Sequence, residues 1–506
     1  MNLAALLLLA VEPATGPLVV SDRWPECTNL VTWTRDVMRL ENLQNASETE
    51  QGKALFRWLR LFNRMATGGM IQAYEGERGR ERYVTDAHKT MFVYGWGYCD
   101  TTSRIAEAAW VQYKNDRVAA ERVCVMHDNG GFHTMYRLRL DGRYGAFDPR
   151  YGYYLVESDS ADARVLDWHE VGVDENILRN RKYRYRSRPF FEFFGLEWER
   201  ASLIQPVYHT TEADWVKAGR RAEEVFGNRM YVPGTKYHDM DFQLPKGATI
   251  ERFWDNRARK FYVPAGEHTK REEAFLPSGR FYRVTETMFD GNWVRHDPNY
   301  EIARPYLSLV PHSEGYNANV RGGHTIGQSW GRFVYEPEVA DLAARSEFDF
   351  YVPYIMVDGT IAGESKGPVE FRTLRAKSTR RDEPDVWSDW TTVRPSAGRF
   401  ESAISVHGVY RFQIRGRFSS MRLETTFENG LMTIPQIFDG RNRIRFQVRD
   451  ASLLRGPVQI IYRYKTGEGE REHRRTLEPA DFRHNAAFYE INAPGLTRCL
   501  SLTIKH

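Results

Sequence analysis

From about Gln205 onward, the sequence consists almost entirely of short runs typical of β-strands, and this feature limits the possible folds most. The runs alternate apolar and polar residues, which suits strands with one buried face. Clear examples are residues 369–374, 409–414, 444–448 and 458–464. Short strands at regular spacing, separated by Gly and Pro turns, predict mostly antiparallel β-sandwiches. Boundaries near 205, 345 and 425 give a β-rich domain at 205–345 and two sandwiches at 346–425 and 426–506.

Residues 21–204 have a different pattern, which predicts a domain of mixed helices and strands. Apolar side chains recur there at i, i+3 and i+4 spacing, as one buried helix face requires. The clearest set is Ala54, Leu55, Trp58, Leu59 and Phe62. After Val123 the pattern changes to alternation. We therefore expect an α+β fold class, with the mixed domain first and the β-sandwiches after it.

The composition excludes several kinds of partner. Charged residues make up 27% and hydrophobic residues 42%, the balance of a globular protein. A net charge of +4 is too small for nucleic acid or an anionic membrane to be the main partner. Mean hydropathy is −0.59, and no run approaches the roughly 18 apolar residues of a membrane span. The aromatic content of 13% suits sandwich cores and surfaces that stack on sugars.

The N-terminus predicts export. Residues 3–11 form an apolar run with the length of a signal-peptide core, and Ala14-Thr15-Gly16 resembles a cleavage site. Residues 1–20 are thus a possible signal peptide, although no Lys or Arg precedes the apolar run. The alternative is an N-terminal core helix. Export would make the protein secreted, periplasmic or attached to the cell surface.

Four cysteines are too few for a disulfide scaffold, and none has zinc-ligand spacing. We expect no metal and no cofactor. His238, Asp239 and Asp241 match no known metal site, and neither do His296 and Asp297, so solvated turns are the better interpretation. If Cys99 is a free thiol, the pairing of the other three cysteines stays open: Cys27, Cys124 and Cys499.

Cys99 lies in the segment most indicative of chemistry. Gly95 and Gly97 precede it, and an Ala-rich helical run follows at 105–114, with Asp100 or Thr101 suited to capping that helix. A cysteine at a helix N-terminus is stabilised as the thiolate by the free N–H groups. The alternative interpretation is a small buried hydrophobic residue.

Possible partners of Cys99 lie downstream, on a predicted hairpin. Asp141-Gly142 between alternating runs is a strong turn signal, and it places Leu140 opposite Arg143. His133 and Asp148 are then diagonal neighbours on one face, close enough for the carboxylate to orient the imidazole. The opposite face is expected to face the core; it carries Tyr136, Leu138, Leu140 and Phe147.

Two alternatives stay open for this hairpin. His133 and Asp148 could be an ordinary exposed pair, and His127 is a rival imidazole that lies before the hairpin.

Together these residues resemble the transglutaminase-like superfamily of papain-type cysteine enzymes. His133 follows Cys99 by 34 residues and Asp148 follows His133 by 15, which suits that family. Gly97-x-Cys99, Gly142-x-Tyr144 and Phe147-Asp148-Pro149 occupy the places of its motifs, within about 51–154. The sequence departs from the family at Thr134, where an aromatic residue is frequent, and at Tyr144, where Trp is common.

The resemblance implies a transglutaminase-like or papain-like catalytic core at 21–204. Cys99 would be the nucleophile, His133 the general base and acid, and Asp148 the residue that orients His133. The backbone N–H of Cys99 and the side chain of Trp96 would stabilise the oxyanion, although Trp96 could equally be core packing. The resemblance further implies a peptide or protein substrate, attacked at an amide bond through a thioester and released by hydrolysis or acyl transfer.

A second function remains possible: a non-catalytic cell-surface or glycan-binding protein that uses the same fold as a scaffold. Trp387 and Trp390 are candidates for stacking on a glycan. Their odd separation predicts opposite strand faces, and core packing of both is the alternative. A structural cross-linked wall component is a third, weaker option.

Overall fold

The structure is a computed structural model of the chain. It describes residues 14–65, 74–75, 82–84, 86–97, 99–126, 132–148, 153–157, 162–167, 170, 184–186, 205–209, 237–255, 258, 260, 328–374 and 386–506. None of the helices in these ranges is long and apolar enough to cross a membrane.

The N-terminal part begins with two short strands and continues into a helical layer. In chain order its elements are β1 (Ala14–Thr15), β2 (Leu18–Ser21), α1 (Leu30–Leu40), α2 (Glu48–Phe62), β3 (Arg64–Met65), β4 (Tyr74–Glu75), β5 (Arg82–Tyr83), a π-helix (Lys89–Tyr94), β6 (Trp96–Gly97) and α3 (Cys99–Lys114). Strands β3 and β6 pair in parallel, whereas β4 and β5 are antiparallel.

Helix α2 confirms the predicted buried face. It begins at a capping box in which Ser47 and Glu50 satisfy each other's backbone N–H groups. All five apolar residues of the predicted stripe are buried, from Ala54 at 0% exposure to Phe62 at 2%. Helix α1 begins at Asn29, whose side chain accepts a hydrogen bond from the backbone N–H of Thr32.

Helices α2 and α3 lie on a six-stranded antiparallel sheet, here called sheet A. Its strands are β7 (Ala120–Met126), β8 (Phe132–Leu140), β9 (Arg143–Asp148), β10 (Tyr153–Leu155), β11 (Arg184–Arg186) and β12 (Gln205–His209). They pair in the order β11-β10-β9-β8-β7-β12. The β8–β9 hairpin confirms the predicted register, because Leu140 pairs with Arg143. Asp141 and Gly142 both have positive φ, 49° and 85°, as a type I′ turn requires.

The predicted core face of this hairpin is also confirmed. Tyr136, Leu138, Leu140 and Phe147 are all buried. Phe56 of α2 packs on Phe147 with ring centroids 5.5 Å apart, and Phe147 stacks on Tyr136 at 5.4 Å. The helical layer therefore covers this face of sheet A.

The rest of the described chain is almost entirely strand. In chain order it contains β13 (Gln243–Leu244), β14 (Ala248–Phe253), β15 (Gln328–Tyr335), α4 (Val339–Ala344), β16 (Glu347–Tyr351), β17 (Ile355–Ser365), β18 (Val369–Thr373), β19 (Thr391–Val393), β20 (Arg399–Ala403), β21 (Arg411–Arg415), β22 (Phe418–Gly430), β23 (Gly440–Gln447), β24 (Val458–Thr466), β25 (Gly469–Leu477), β26 (Ala486–Ala493) and β27 (Leu496–Lys505). Strands β18, β21, β23 and β24 fall at the four runs named above.

Eight of these strands form one antiparallel sheet, sheet B, in the order β20-β17-β22-β15-β14-β27-β24-β25. A four-stranded sheet, sheet C, has the order β16-β21-β18-β19. Phe348 and Phe350 of sheet C pack on sheet B, for example with Phe350 5.4 Å from the Tyr335 ring. Sheet B therefore brings together strands from all three segments that the sequence analysis separated near 345 and 425.

The N-terminal strands belong to the C-terminal β-structure. Strand β2 pairs with β23, which pairs with β26, and the three form sheet D. Strand β1 pairs with β13, so the predicted cleavage site at Ala14-Thr15-Gly16 lies in a strand pair. Across the described residues, the architecture is mostly antiparallel β-sheet with few helices.

Candidate functional site

Cys99 is the first residue of α3. Its thiol is free and partly exposed, in a helix of 16 residues whose free N–H groups favour an anion at this end. Asp100 and Thr101 lie in the first turn and are buried, so the prediction that one of them caps the helix was wrong. The helix begins two residues earlier than a cap at Asp100 would require, and three residues earlier than a cap at Thr101 would require.

The other two described cysteines are poor nucleophiles. Both are free thiols, and burial raises the pKa of Cys499 to about 12. Burial also raises the pKa of Cys27 well above its ordinary value. Of Cys124 only the backbone is described, in β7. Cys99 is therefore the described cysteine that combines partial exposure with a position at a helix N-terminus.

Buried hydrogen bonds hold the first turn of α3 in place. The Thr102 hydroxyl donates to the side-chain oxygen of Asn63 over 2.7 Å, and the Asn63 amide donates to the Thr90 carbonyl over 3.0 Å. The Ser103 hydroxyl donates to the carbonyl oxygen of Thr134 over 3.3 Å. The turn that carries Cys99 is thus tied to the end of α2, to the π-helix and to β8.

These contacts also define how α3 runs along sheet A. Ser103 contacts Thr134 near the start of β8, whereas the Trp110 indole N–H donates to the Arg139 carbonyl, 3.4 Å away, near its end. Helix α3 and β8 therefore run in the same direction. Cys99 lies one turn, about 6 Å, before Ser103. A distance of about 6 Å corresponds to about two residues of a strand, at about 3.3 Å each, so Cys99 lies beside the backbone of Phe132 and His133 in β8.

The backbones of His133 and Asp148 lie in strands, as the sequence predicts. His133 pairs with Val125 of β7, and Asp148 is the last residue of β9 and pairs with Tyr153 of β10. Their side chains lie outside the described part, as does the side chain of Trp96 in β6. The hydrogen bonds of the proposed triad therefore stay predictions.

The register of β8 determines on which face of sheet A residue 133 falls. His133 shares the alternation of Met135 and Arg137, not that of Tyr136 and the helix-covered face. Arg137 contacts Glu121 at 2.8 Å and Asp167 at 3.0 Å, away from the helices. By this alternation residue 133 falls on the side of sheet A that α3 does not cover, so the contact between His133 and Cys99 stays a prediction.

Tyr144, which stands where the resembled family commonly has Trp, lies far from the cysteine. It pairs with Arg139, level with Trp110 and about 16 Å along α3 from Cys99. Its hydroxyl is 2.8 Å from the Val118 carbonyl oxygen and 2.9 Å from a Glu121 carboxylate oxygen. Burial raises the pKa of Tyr144 to about 12, with a further contribution from Glu121. The Tyr at position 144, where the resembled family commonly has Trp, therefore does not contact Cys99.

The residues that anchor the first turn of α3 were not predicted from the sequence. Nothing in the sequence marked Asn63 as an anchoring residue, because it is simply the polar residue that follows the apolar stripe of α2. Thr102 and Ser103 belong to a polar run that is buried at the start of the helix, with Ser103 at 0% exposure. The available sequence signal was the run of hydroxyl side chains at the start of the helix, since hydroxyls that become buried there need a hydrogen-bond partner.

The acidic group considered as a possible metal site makes other contacts. His238 lies with its Nε2 atom 2.8 Å from the Pro353 carbonyl oxygen, and Asp239 and Asp241 both pair with Arg449. The predicted solvated turn was wrong for His238, whose ring packs on that of Tyr410. Within the described ranges, no group of three or more His, Cys, Asp or Glu residues could hold a metal ion.

Several features singled out in the sequence lie outside the described residues. They are the apolar run at 3–11, His127, Pro149, His296 and Asp297.

Trp387 and Trp390 lie on the same side of sheet C, so the prediction of opposite faces was wrong. The Arg372 guanidinium contacts both rings, 4.8 and 4.5 Å from their centroids. Arg411 is 5.5 Å from Trp387, and Arg415 is 4.0 Å from Trp390. Neither tryptophan is buried in the core. Each indole thus already makes cation–π contacts with two guanidinium groups.

Comparisons with known proteins identify no family for this chain. No protein-family model matches it, and no curated protein matches it. Among solved structures, it is similar to a protein described as a β-galactosidase from Bacteroides fragilis, with 10% identity over 34% of this chain and 28% of that one, at a TM-score of 0.09.

Two further solved structures show similarity of the same kind. For β-glucuronidase 2 of Bacteroides uniformis, identity is 8% over 36% of this chain and 24% of that one, at a TM-score of 0.10. For the pilus backbone protein of Streptococcus pneumoniae, identity is 8% over 36% of this chain and 73% of that one, at a TM-score of 0.11. The chain thus spans about a quarter of the length of the two Bacteroides proteins. TM-scores this low support no conclusion about fold or function.

Proposed function

We propose that this protein is an exported cysteine enzyme with a transglutaminase-like core, which acts on amide bonds of peptide or protein substrates. The Cys99 thiolate attacks the amide carbonyl carbon and forms a C–S bond. The C–N bond then breaks, and the amine leaves with a proton from the His133 imidazolium. Water or a second amine next gives a proton to His133 and attacks the thioester, which releases the Cys99 thiolate.

The other predicted residues assist these two steps. Asp148 orients the imidazole of His133 and stabilises its charged form. The backbone N–H of Cys99, with Trp96 as the predicted side-chain donor, stabilises the oxyanion of each tetrahedral intermediate. No cofactor is needed for this chemistry.

One observation supports the proposal most: the hydrogen bond from Ser103 to the Thr134 carbonyl. It holds the first turn of α3 against the start of β8, with Cys99 on the same helix face one turn ahead. The predicted nucleophile and the predicted base thus belong to backbone segments that are adjacent in space. Their separation in sequence gives no reason for this adjacency.

The first experiment measures iodoacetamide alkylation of each cysteine as a function of pH, by mass spectrometry. We expect rapid labelling of Cys99 well below pH 8, because an activated thiolate persists there. Cys27 and Cys499 serve as internal controls and should label slowly in the folded protein, since burial raises the pKa of both thiols.

Variants then test the assigned base. His133→Ala should slow the labelling of Cys99 at pH 7 at least tenfold, whereas the matched control His127→Ala should leave it unchanged. Labelling at the rate of an ordinary thiol in the wild type, unaffected by His133→Ala, would exclude the proposal. If only His127→Ala slows the labelling, the rival imidazole is the base.

Substrate chemistry is tested with glutamine-containing and other peptide amides, with and without a primary amine. Ammonia or peptide release without incorporation of the amine indicates hydrolysis, whereas a mass increase equal to the amine indicates acyl transfer. Cys99→Ala must abolish either product. Full activity of Cys99→Ala on such an amide would rule out a thioester intermediate.

A further inference from the structure

The end of β22 lies directly against the segment that leads to Cys99. A Cβ added to Gly430 would come 2.9 Å from the carbonyl oxygen of Phe92, closer than real Cβ atoms approach backbone. Gly95 ends the π-helix with a φ of 69°, and a Cβ added there would lie 3.7 Å from the Gly430 α-carbon. The two glycines thus let the backbones of the π-helix and sheet B touch without side chains between them.

A buried network holds Gly430 in position. The Thr433 hydroxyl donates to the Gly430 carbonyl oxygen over 2.8 Å, and the Arg252 guanidinium donates to the same hydroxyl oxygen over 2.6 Å. Arg252 also donates to the side-chain oxygen of Asn429 over 2.9 Å and to the Tyr354 hydroxyl over 2.7 Å. Arg252 is 8% and Thr433 4% exposed, so these bonds form away from water.

The contact is close to the cysteine along the chain. Gly95 precedes Cys99 by four residues, and Trp96-Gly97 pairs with Arg64-Met65 between them. A displacement of Gly95 therefore reaches Cys99 through a short, paired segment. The first turn of α3 is tied to the same π-helix, because Asn63 bridges Thr102 and the Thr90 carbonyl.

We propose that Gly430 and Thr433, in the C-terminal β-structure, are positioning residues for Cys99. They hold the π-helix so that the loop before α3 presents the thiol at the helix N-terminus. This inference rests on the proposed function for its catalytic meaning. By this proposal the C-terminal β-structure helps to position the nucleophile, whether or not it also binds a ligand.

The first test compares Gly430→Ala with the wild type. The φ of Gly430 is −59°, which alanine adopts without strain, so the substitution acts through the contact with Phe92. Gly456→Ala is the matched control, because a Cβ there meets nothing within 4 Å and its φ is not in the left-handed region. We expect Gly430→Ala to raise hydrogen exchange in residues 86–100 and to slow Cys99 alkylation at pH 7 about tenfold or more. The pH midpoint of labelling should move upward.

A second pair of variants guards against simple misfolding. Thr433→Val removes the hydroxyl at nearly constant shape, whereas Thr433→Ser keeps it. The valine variant should reproduce the effect of Gly430→Ala on Cys99 labelling, and the serine variant should restore the wild-type pH profile. Cys499, which is buried, should stay protected in all variants, which reports an intact fold.

The outcomes separate the two proposals. Ordinary reactivity of Cys99 in the wild type contradicts the proposed function, but increased exchange at 86–100 in Gly430→Ala still supports the positioning contact. Rapid wild-type labelling that Gly430→Ala and Thr433→Val leave unchanged, with unchanged exchange, overturns the positioning role and leaves the proposed function intact.

Discussion

Asp141 has two roles at the tip of the β8–β9 hairpin. Its backbone adopts the positive φ that the turn needs, and its carboxylate accepts hydrogen bonds from the backbone N–H groups of Glu48 and Thr49, each over 3.1 Å. The Thr49 hydroxyl donates to it over 2.8 Å. Burial acts to raise the pKa of Asp141, but the bonds from Thr49 and Glu48 outweigh burial and lower it. One side chain thus joins the hairpin to the N-terminus of α2.

We predict that Asp141→Ala lowers the free energy of unfolding by about 2 kcal/mol, through the lost helix-terminal acceptor and the strain of alanine at positive φ. Asp141→Asn keeps an acceptor oxygen and tolerates the same backbone, so it should cost less than half as much. Urea unfolding at pH 7 measures both. Equal losses in the two variants would show that the acceptor is unimportant.

At the scale of secondary-structure elements, α3 is held on sheet A by a buried ion pair. The Arg122 guanidinium of β7 donates to the Glu107 carboxylate over 2.7 Å, and their side chains are 2% and 4% exposed. Desolvation offsets much of the attraction in such a pair. Removing one partner, however, leaves a buried charge without its main compensation.

Single substitutions Glu107→Ala and Arg122→Ala should therefore each destabilise the protein by about 3–5 kcal/mol. The double variant Glu107→Met with Arg122→Met should cost much less than the two single losses together. The exposed pair Arg463–Glu470, 3.0 Å apart, is the control and should contribute less than about 1 kcal/mol. Additive losses at the buried pair in a double-mutant cycle would contradict this interpretation.

At the scale of the whole molecule, two histidines join the π-helix segment to the β-sandwich half. The backbone N–H of His238 donates to Asp86 over 2.9 Å, and His88 Nδ1 is 3.1 Å from the His238 carbonyl oxygen. His238 Nε2 is 2.8 Å from the Pro353 carbonyl oxygen. Burial lowers the pKa of both imidazoles. At His238 the nearby Lys89 lowers it further, whereas Asp86 opposes the effect at both histidines.

A lowered histidine pKa makes the folded protein bind fewer protons than the unfolded chain. We therefore predict that unfolding free energy falls as pH drops below 6.5, the ordinary value. The unfolding free energy can fall by at most about 1.4 kcal/mol per pH unit for each histidine. His238→Gln, which still donates to Pro353, should show a shallower fall between pH 7 and 5 in urea unfolding. Parallel curves for the variant and the wild type would contradict this prediction.

The errors of the sequence analysis have identifiable causes. The alternation rule failed at Trp387 and Trp390 because the residues between them are not in a strand, so period two does not apply. His238 was assigned to a solvated turn because its spacing from Asp239 and Asp241 matches no known metal site. Its burial comes from Tyr410 and Pro353, which follow it by more than 100 residues. Neither contact leaves a local sequence pattern.

Features that depend on neighbouring residues were predictable from the sequence alone. These are the buried face of α2, the turn and register of the β8–β9 hairpin, and the position of Cys99 at a helix N-terminus. Backbone preferences and side-chain periodicity act within a few residues, so the local sequence encodes them. The triad assignment combines such local features and stays a prediction, because the side chains of His133 and Asp148 are not described.

The tertiary structure alone decided which distant segments meet. Strand β2 pairs with β23, more than 400 residues later, and Gly430 touches the backbone of Phe92. Many strands in this chain have similar alternation and could pair with β2 equally well by pattern. The choice depends on which sheet edges remain free once the sandwiches form, and on where side chains are small enough for backbones to touch. Those conditions exist only in the folded molecule.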